Sequence, residues 1–84
     1  MKKRDLSKFL AVILRNHRKA AKITQEKLSE KADVDVTMIG LIERGIRNPS
    51  VNLADSLAHA LGVPLFQMIK EADDLRRKQH SKGK

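Results

Sequence analysis

The chain has 84 residues, which fit one small domain whose core leaves no room for a deep substrate cavity, so a binding module is favoured over an enzyme. Cysteine is absent, which excludes disulfide bridges and cysteine-ligated metals and makes the cytoplasm the expected location. The longest apolar run, residues 9–14, covers about a third of the roughly 20 residues that a membrane span needs, so no membrane span is expected.

The positive charge is unevenly distributed along the chain. The net charge is +8; residues 1–22 contain eight lysines and arginines against one acidic residue, residues 23–69 four against six, and residues 70–84 six against three. Basic segments attract polyanions, of which nucleic acid is the first candidate and an anionic membrane the second. Solvated basic ends that keep a small domain in solution would give the same charge pattern.

Apolar residues recur with helical spacing along almost the whole chain, and no alternating strand pattern is present. Asp5 is placed to cap a first helix, whose inward stripe contains Leu6, Phe9 or Leu10, Ile13 or Leu14, and His17. Thr24 is placed to cap a second helix, in which Leu28 and Ala32 face inward. At its position on the stripe, His17 is expected to be a core histidine rather than a ligand.

The second and third helices are short and lie close together. The third helix begins after Asp35, which can cap it, and stops at Gly45, a residue suited to the left-handed conformation past a helix end. Only about three residues connect it to the second helix, so the two helices cross steeply and the second braces the third. The side opposite Ile39 and Ile42 has the width of a DNA major groove and carries Val36, Thr37, Gly40, Leu41 and Arg44.

Two further helices complete the pattern. Asn48-Pro49-Ser50 opens a fourth helix with Leu53, Leu57 and Leu61 in register, and Gly62 closes it. Pro64 suits the first turn of a fifth helix. From about Asp73 the chain turns polar and basic, so residues 1–72 are expected to form a helix-turn-helix DNA-binding domain and residues 73–84 a frayed or disordered tail.

Four sequence motifs occur in a recognisable order. They are Thr-Gln-Glu-Lys-Leu-Ser-Glu-Lys-Ala at 24–32, Ile-Glu-Arg-Gly at 42–45, Arg-Asn-Pro-Ser at 47–50 and Leu-Ala-His-Ala-Leu-Gly-Val-Pro at 57–64. Together they resemble the Cro/CI-type, or XRE, helix-turn-helix family over roughly residues 10–70. The resemblance implies an all-α, compact five-helix, lambda-repressor-like domain that acts as a dimer on a two-fold DNA operator, to repress or activate transcription.

The resemblance also implies roles for particular residues. The positions that face bases are those of Val36, Thr37, Gly40 and Leu41; Asp35 begins the same face, with helix capping as its main role. The positions that meet the DNA backbone are those of Gln25, Arg44, Arg47 and Asn48. Arg18 and Glu43 match a pair that forms a largely buried ion pair between the first and third helices of related repressors.

The chain departs from the family pattern at four positions. Lys22 and Asp33 stand where the family usually has glycine at helix ends, so a strained or reshaped turn is expected at Lys22. Val36 and Leu41 stand where many relatives carry polar side chains, which weakens the case for hydrogen-bonded readout. Thr37 could bond a base edge or touch a thymine methyl, and methyl contacts from Val36 and Leu41 would favour A·T-containing half-sites.

Two questions stay open at the level of the sequence. The apolar groups at Leu65, Phe66, Met68 and Ile69 are too many for one side of a terminal helix, so they are expected to cover a dimer partner, with a place in the core as the alternative. The face at Val36 and Leu41 could bind a protein instead of DNA, as in an antitoxin or adaptor. No catalytic motif, metal site, cofactor site or small-molecule site is evident, so double-stranded DNA and a second copy of the chain are the expected partners.

Overall fold

The computed structural model describes residues 5–82 and places five α-helices and no β-strand within them. The helices are α1 (Leu6–Ala20), α2 (Gln25–Ala32), α3 (Val36–Glu43), α4 (Val51–Ala60) and α5 (Leu65–Lys82). This arrangement confirms the prediction of an all-α, five-helix fold with a helix-turn-helix at α2 and α3. The expected basic N-terminus, Met1–Arg4, lies outside the described residues.

A single apolar core receives side chains from every helix. Helix α1 packs mainly against α5, while α2 packs against α3 and α4. The residues at the centre of this core are at most 2% exposed: Leu14, Leu28, Ile39, Ile42, Leu57, Ala58, Met68 and Ala72. Because α3 contributes Ile39 and Ile42 to this centre, its orientation about its own axis is fixed by the core.

Side-chain caps define the starts of three helices. The side-chain oxygens of Thr24, Asp35 and Ser50 each accept a hydrogen bond of 3.0 Å from a main-chain N–H of the first turn that follows. These bonds confirm the predicted caps at Thr24 and Asp35. Asp5 occupies the capping position of α1, but its carboxylate makes no capping hydrogen bond, so the predicted role of its side chain is wrong.

The four connections between helices begin with the same backbone device. The first residue past the helix end region has a positive φ in each: Lys22 (61°), Asp33 (57°), Gly45 (74°) and Gly62 (75°). The following N–H then bonds back to a carbonyl five residues earlier, which is the pattern of a Schellman cap. The turns that lack the family's glycine therefore keep its geometry, with Lys22 and Asp33 held in a left-handed conformation that costs a side-chain-bearing residue free energy.

The residue after each left-handed position is a β-branched apolar one. Ile23, Val34 and Val63 pack against the core, as the hydrophobic contact of this type of cap requires. Ile46 is the exception, because 63% of it is exposed. The turn after α3 is therefore held by its hydrogen bonds, from Ile46 N–H to Leu41 and from Gly45 N–H to Ile42, without burial of an apolar anchor.

Helix α5 extends further than the sequence pattern suggested. It continues to Lys82, which corrects the expectation of a frayed or disordered tail from Asp73 onward; residues 83–84 lie outside the described part. Leu75 still packs against the core, and the Asp73 carboxylate accepts hydrogen bonds from Arg76 at 2.6 Å and from Arg77 at 3.1 Å. Arginine, lysine and glutamine are good helix formers, so a polar composition did not mean a loss of helix. The domain boundary at residue 72 stays a prediction.

The left-handed conformation of Lys22 makes a stability prediction. Replacing Lys22 with glycine should raise the free energy of unfolding by about 0.5–1 kcal/mol, because glycine adopts this conformation without the Cβ clash. Chemical denaturation of wild type and Lys22→Gly measures the difference. Lys19→Gly, an exposed site within α1, is the matched control and should instead lower stability by about 0.5–1 kcal/mol. Equal destabilisation by both variants would show that Lys22 is not strained.

Candidate nucleic-acid interface

Helix α3 has one side in the core and the other side open. Ile39 and Ile42 are each 1% exposed. On the opposite side Thr37 is exposed, whereas Val36, Gly40 and Leu41 are half-buried. Neither Val36 nor Leu41 belongs to the core or to the shell of side chains packed against it, so the four predicted base-facing residues form one continuous outer surface, the α3 face.

The start of α3 decides which polar groups of this surface are available. The Asp35 carboxylate accepts the Thr37 main-chain N–H at 3.0 Å, so the acidic side chain serves the helix cap. The Thr37 hydroxyl makes no hydrogen bond to any described residue, and it remains free to donate and accept. The α3 face therefore offers one hydroxyl and several methyl groups and carries no charged side chain.

Arg18 and Glu43 form a two-bonded ion pair between α1 and the end of α3. Arg18 Nε donates to Glu43 Oε2 at 2.7 Å, and the second guanidinium nitrogen donates to Oε1 at 2.9 Å. The side chains are 11% and 5% exposed, so the pair is nearly removed from water. Arg18 also donates to the Ile23 carbonyl at 2.8 Å, and Gln25 donates to Glu43 Oε1 at 2.9 Å. One cluster thus joins α1, the turn after it, the first residue of α2 and the last residue of α3.

The protonation states of this cluster follow from competing effects. Burial alone would raise the pKa of the Glu43 carboxyl, but hydrogen bonds from Arg18 and Gln25 and the nearby positive charges outweigh it and hold that pKa below its usual value. The hydrogen bond to Glu43 raises the pKa of Arg18 despite its own burial. Both groups are therefore charged at neutral pH.

A polar cleft lies beside this cluster. It has a volume of about 390 Å³ and is lined by Arg15, Arg18, Gln25, Glu43 and Arg44. Arg44 is exposed and its Nε donates to the Gly40 carbonyl at 3.2 Å, which lays the side chain back along α3. Sequence reasoning placed Gln25 and Arg44 at the DNA backbone and did not single out Arg15, although Arg15 lies one helical turn before Arg18.

Two other residues predicted at the DNA backbone lie in the turn after α3. Arg47 and Asn48 are both exposed in the connection between α3 and α4. The Arg47 main-chain N–H bonds to the Leu41 carbonyl at 3.3 Å, so this part of the turn is attached to α3. The structure therefore brings Gln25 and Arg44 together in the cleft and places Arg47 and Asn48 in the segment that follows.

The structure gives no internal reason for glycine at position 40. A Cβ built there would lie 3.5 Å from Gln25 Oε1 and 4.0 Å from the nearest Arg44 nitrogen, which are ordinary contact distances. Packing within the chain would therefore admit alanine, a better helix former by about 1 kcal/mol. Close approach of the α3 backbone to another molecule remains the predicted role of Gly40.

The set of residues predicted to cover a dimer partner divides into exposed and buried members. Phe66 is 76% exposed and Ile69 is 38% exposed, whereas Leu65 packs partly against the core. Met68 is 0% exposed and belongs to the core, which corrects its assignment to an intersubunit surface. Beside Ile69 an apolar groove of about 170 Å³ runs between α1, α4 and α5 and is lined mainly by Leu6, Leu10, Val51, Ala54, Leu65 and Ile69.

His17 connects α1 to α5 rather than to a ligand. Its Nε2 lies 2.7 Å from Glu71 Oε1, and the hydrogen bond from His17 lowers the pKa of the Glu71 carboxyl, with a further contribution from Gln67. Within the described residues no three histidine, aspartate or glutamate side chains are grouped so that they could hold a metal ion. None of the helices described is long and apolar enough to cross a membrane.

A short helix with a buried inner side and an open outer side, braced by a second short helix and flanked by cationic side chains, defines a helix-turn-helix DNA-binding domain. The model of the helix-turn-helix family matches residues 14–67, well over half of the chain. The chain therefore belongs to this family, in its Cro/CI-type branch, and is a DNA-binding transcriptional regulator rather than an enzyme.

Relatives by sequence include two regulators. The immunity repressor protein of Bacillus phage phi105 is 34% identical over 62 residues, which cover 74% of this chain and 43% of the repressor. An uncharacterized HTH-type transcriptional regulator of Methanothermobacter thermautotrophicus is 40% identical over 53 residues, which cover 63% of this chain and 77% of the relative. The chain thus spans less than half the length of the phage repressor.

Solved structures of regulators share the fold. The clp gene regulator ClgR from Corynebacterium glutamicum superposes with a TM-score of 0.86 at 28% identity, over 93% of this chain and 83% of ClgR. The restriction-modification controller protein C.AhdI from Aeromonas hydrophila gives a TM-score of 0.69 at 36% identity, over 76% of this chain and 96% of the controller. The sequence-based family assignment is confirmed.

The ion pair predicts a pH-dependent loss of stability. At about pH 7, Glu43→Gln should lower the free energy of unfolding by about 3 kcal/mol, because the variant leaves the buried Arg18 charge unpaired. The folded-state pKa of Glu43 is lowered, so its contribution is present above the unfolded-state pKa and is lost as the pH falls through the folded-state pKa. Denaturation of wild type and variant between about pH 7 and about pH 3 should therefore show a narrowing difference.

Glu30→Gln is the matched control for this measurement. Glu30 is 71% exposed and lies 3.7 Å from Lys27, so its removal should cost well under about 1 kcal/mol at every pH. A Glu43→Gln difference that is as large at about pH 3 as at about pH 7 would contradict the assigned role of the carboxylate charge.

Proposed function

We propose that the chain is a sequence-specific regulator that binds double-stranded DNA as a homodimer on a two-fold operator, with α3 in the major groove. The observation that carries the proposal is the α3 face itself. Its inner residues Ile39 and Ile42 are fixed in the core, and its outer residues are uncovered beside a cationic cleft. A DNA-binding regulator acts where the DNA is, so the cytoplasm is its proposed location.

Base recognition is assigned to the α3 face. Thr37 has a free hydroxyl that can bond a base edge, and its methyl can contact a thymine methyl. Val36 and Leu41 add apolar contacts, while Gly40 brings the helix backbone close to the groove floor. A face of this composition favours half-sites that contain A·T pairs, because thymine alone presents a methyl group in the major groove.

Backbone contacts are assigned to the polar residues around α3. Gln25 at the start of α2 and Arg44 past the end of α3 share the polar cleft, and Arg47 and Asn48 are exposed in the next turn. Contacts to phosphate set the register of the protein on the duplex and supply most of the salt-dependent affinity, without reading sequence.

Dimer formation is assigned to the exposed start of α5. A 76% exposed phenylalanine, with Ile69 one turn later and an apolar groove beside it, forms a patch that a monomer leaves in water. A two-fold dimer would bury the same patch on both copies, as a closed isologous interface requires. The name of the phage relative, an immunity repressor, supports repression as the sign of regulation.

The alternative is a protein-binding module that uses the same fold. Its supporting observation is the apolar character of Val36 and Leu41, which occupy half of the α3 face. The flanking cleft with three arginines favours DNA instead, because a purely apolar protein contact would not need it.

Substitution of Thr37 separates base reading from backbone binding. Thr37→Ala should weaken binding to a selected operator by about 1 kcal/mol, roughly fivefold, and leave binding to a scrambled duplex unchanged. Arg47→Ala should weaken both and lower the slope of log affinity against log salt by about 0.9. Fluorescence anisotropy with both duplexes over a salt series measures these effects.

Ser56→Ala removes an exposed hydroxyl from α4 and serves as the control, with neither affinity expected to change. If Thr37→Ala behaves like Ser56→Ala, Thr37 does not read DNA. Wild-type binding with no preference for any sequence would move the α3 face to the protein-binding alternative.

Substitution of Phe66 tests the dimer. Phe66→Lys should raise the dimer dissociation constant by about 30-fold, the effect of losing a central aromatic contact worth about 2 kcal/mol. The stability of the monomer should change by less than about 0.5 kcal/mol, because Phe66 is exposed within the single chain. Analytical ultracentrifugation gives the dissociation constant.

The matched control is Ile46→Lys, which places the same charge at a 63% exposed apolar site in the turn after α3. It should leave the dimer dissociation constant unchanged. Equal weakening by both variants, or none by Phe66→Lys, would contradict the assignment of the interface to α5.

A further inference from the structure

Arg15 occupies the α1 side of the polar cleft. The cleft is formed where α1, the start of α2 and the end of α3 meet, and Arg15 is its lining residue that sequence motifs did not identify. Arg15 is exposed, and it makes no hydrogen bond or ion pair with any residue of the described part of the chain. Its guanidinium therefore keeps its five donors available for another molecule.

The other groups of the cleft leave it with a positive charge. It contains the guanidinium groups of Arg15, Arg18 and Arg44 against the single carboxylate of Glu43, a net charge of +2. Glu43 is bonded twice by Arg18, so these two charges offset each other at the base of the cleft. The uncompensated charges are those of Arg15 and Arg44, which are the exposed members.

Gln25 adds a neutral donor between these two charges. Its amide nitrogen has two N–H groups, of which one is bonded to Glu43 Oε1 at 2.9 Å. That bond holds the side chain in place, and the second N–H remains for an acceptor in the cleft. Two exposed guanidinium groups and one fixed amide donor are the donor set that a chain of phosphate groups requires.

We propose that Arg15 is a DNA-backbone-binding residue, which extends the contact from the helix-turn-helix onto α1 by neutralising one phosphate beyond those reached by Gln25 and Arg44. This inference rests on the proposed function and deepens it, because the ligand is the same duplex. The Arg18–Glu43 pair fixes α1 to α3, so Arg15 stands at a set position relative to the α3 face. Its phosphate contact therefore contributes to register as well as to affinity.

The test compares four proteins on duplex DNA of mixed sequence: wild type, Arg15→Gln, Arg44→Gln and Lys31→Gln. Lys31 is exposed near the end of α2 opposite to Gln25, so Lys31→Gln removes one positive charge away from the cleft. Dissociation constants are measured between about 50 and about 200 mM salt, and the slope of log affinity against log salt is obtained for each protein. Chemical denaturation confirms that Arg15→Gln is folded like wild type.

Arg15→Gln and Arg44→Gln should each lower the slope by about 0.9, and the double variant by about 1.8, while Lys31→Gln keeps the wild-type slope. If Arg15→Gln keeps the wild-type slope like Lys31→Gln, or if the double variant loses no more than Arg44→Gln, the inference on Arg15 is wrong and the proposed function stands. If wild-type protein does not bind duplex DNA over this salt range, both the proposed function and the inference are wrong.

Discussion

The ion pair between Arg18 and Glu43 is the contact on which the DNA-facing elements depend. It joins α1 to the end of α3, and the further bond from Arg18 to the Ile23 carbonyl fixes the turn that leads into α2. Gln25 attaches the start of α2 to the same carboxylate. Helices of eight residues are marginal alone, so the orientations of α2 and α3 must come from tertiary contacts such as these and from the core.

The same cluster separates the charged and uncharged parts of the proposed interface. Removing an ion pair from water is costly, and an apolar pair of the same shape would often be as stable, so what the buried pair supplies here is defined geometry. By offsetting Arg18, Glu43 leaves the positive potential to the exposed Arg15 and Arg44 at the rim. The α3 face carries no charge, so affinity and sequence preference would reside in different residues.

The sequence was most informative where local chemistry determines local structure. The caps at Thr24 and Asp35 and the left-handed residues at Lys22 and Asp33 depend on a few neighbouring residues, and the structure agrees at all four. The sequence was least informative where a side chain's surroundings depend on distant elements. Met68 and Phe66 are both apolar residues on α5, yet only the packing of α1 and α4 determines that Met68 is buried and Phe66 is not.

Two differences have related physical causes. The polar end of α5 was expected to be disordered, but its charged residues are good helix formers and pair with one another three and four residues apart. Arg15 drew no attention because a basic residue on an exposed helix side is ordinary until the folded chain places it beside Gln25 and Arg44. The measurement that tests the central claim most directly is selection of random duplexes by the purified protein at about 150 mM salt. A two-fold consensus with half-sites about one helical turn apart is the predicted result, and binding that enriches no consensus would contradict it.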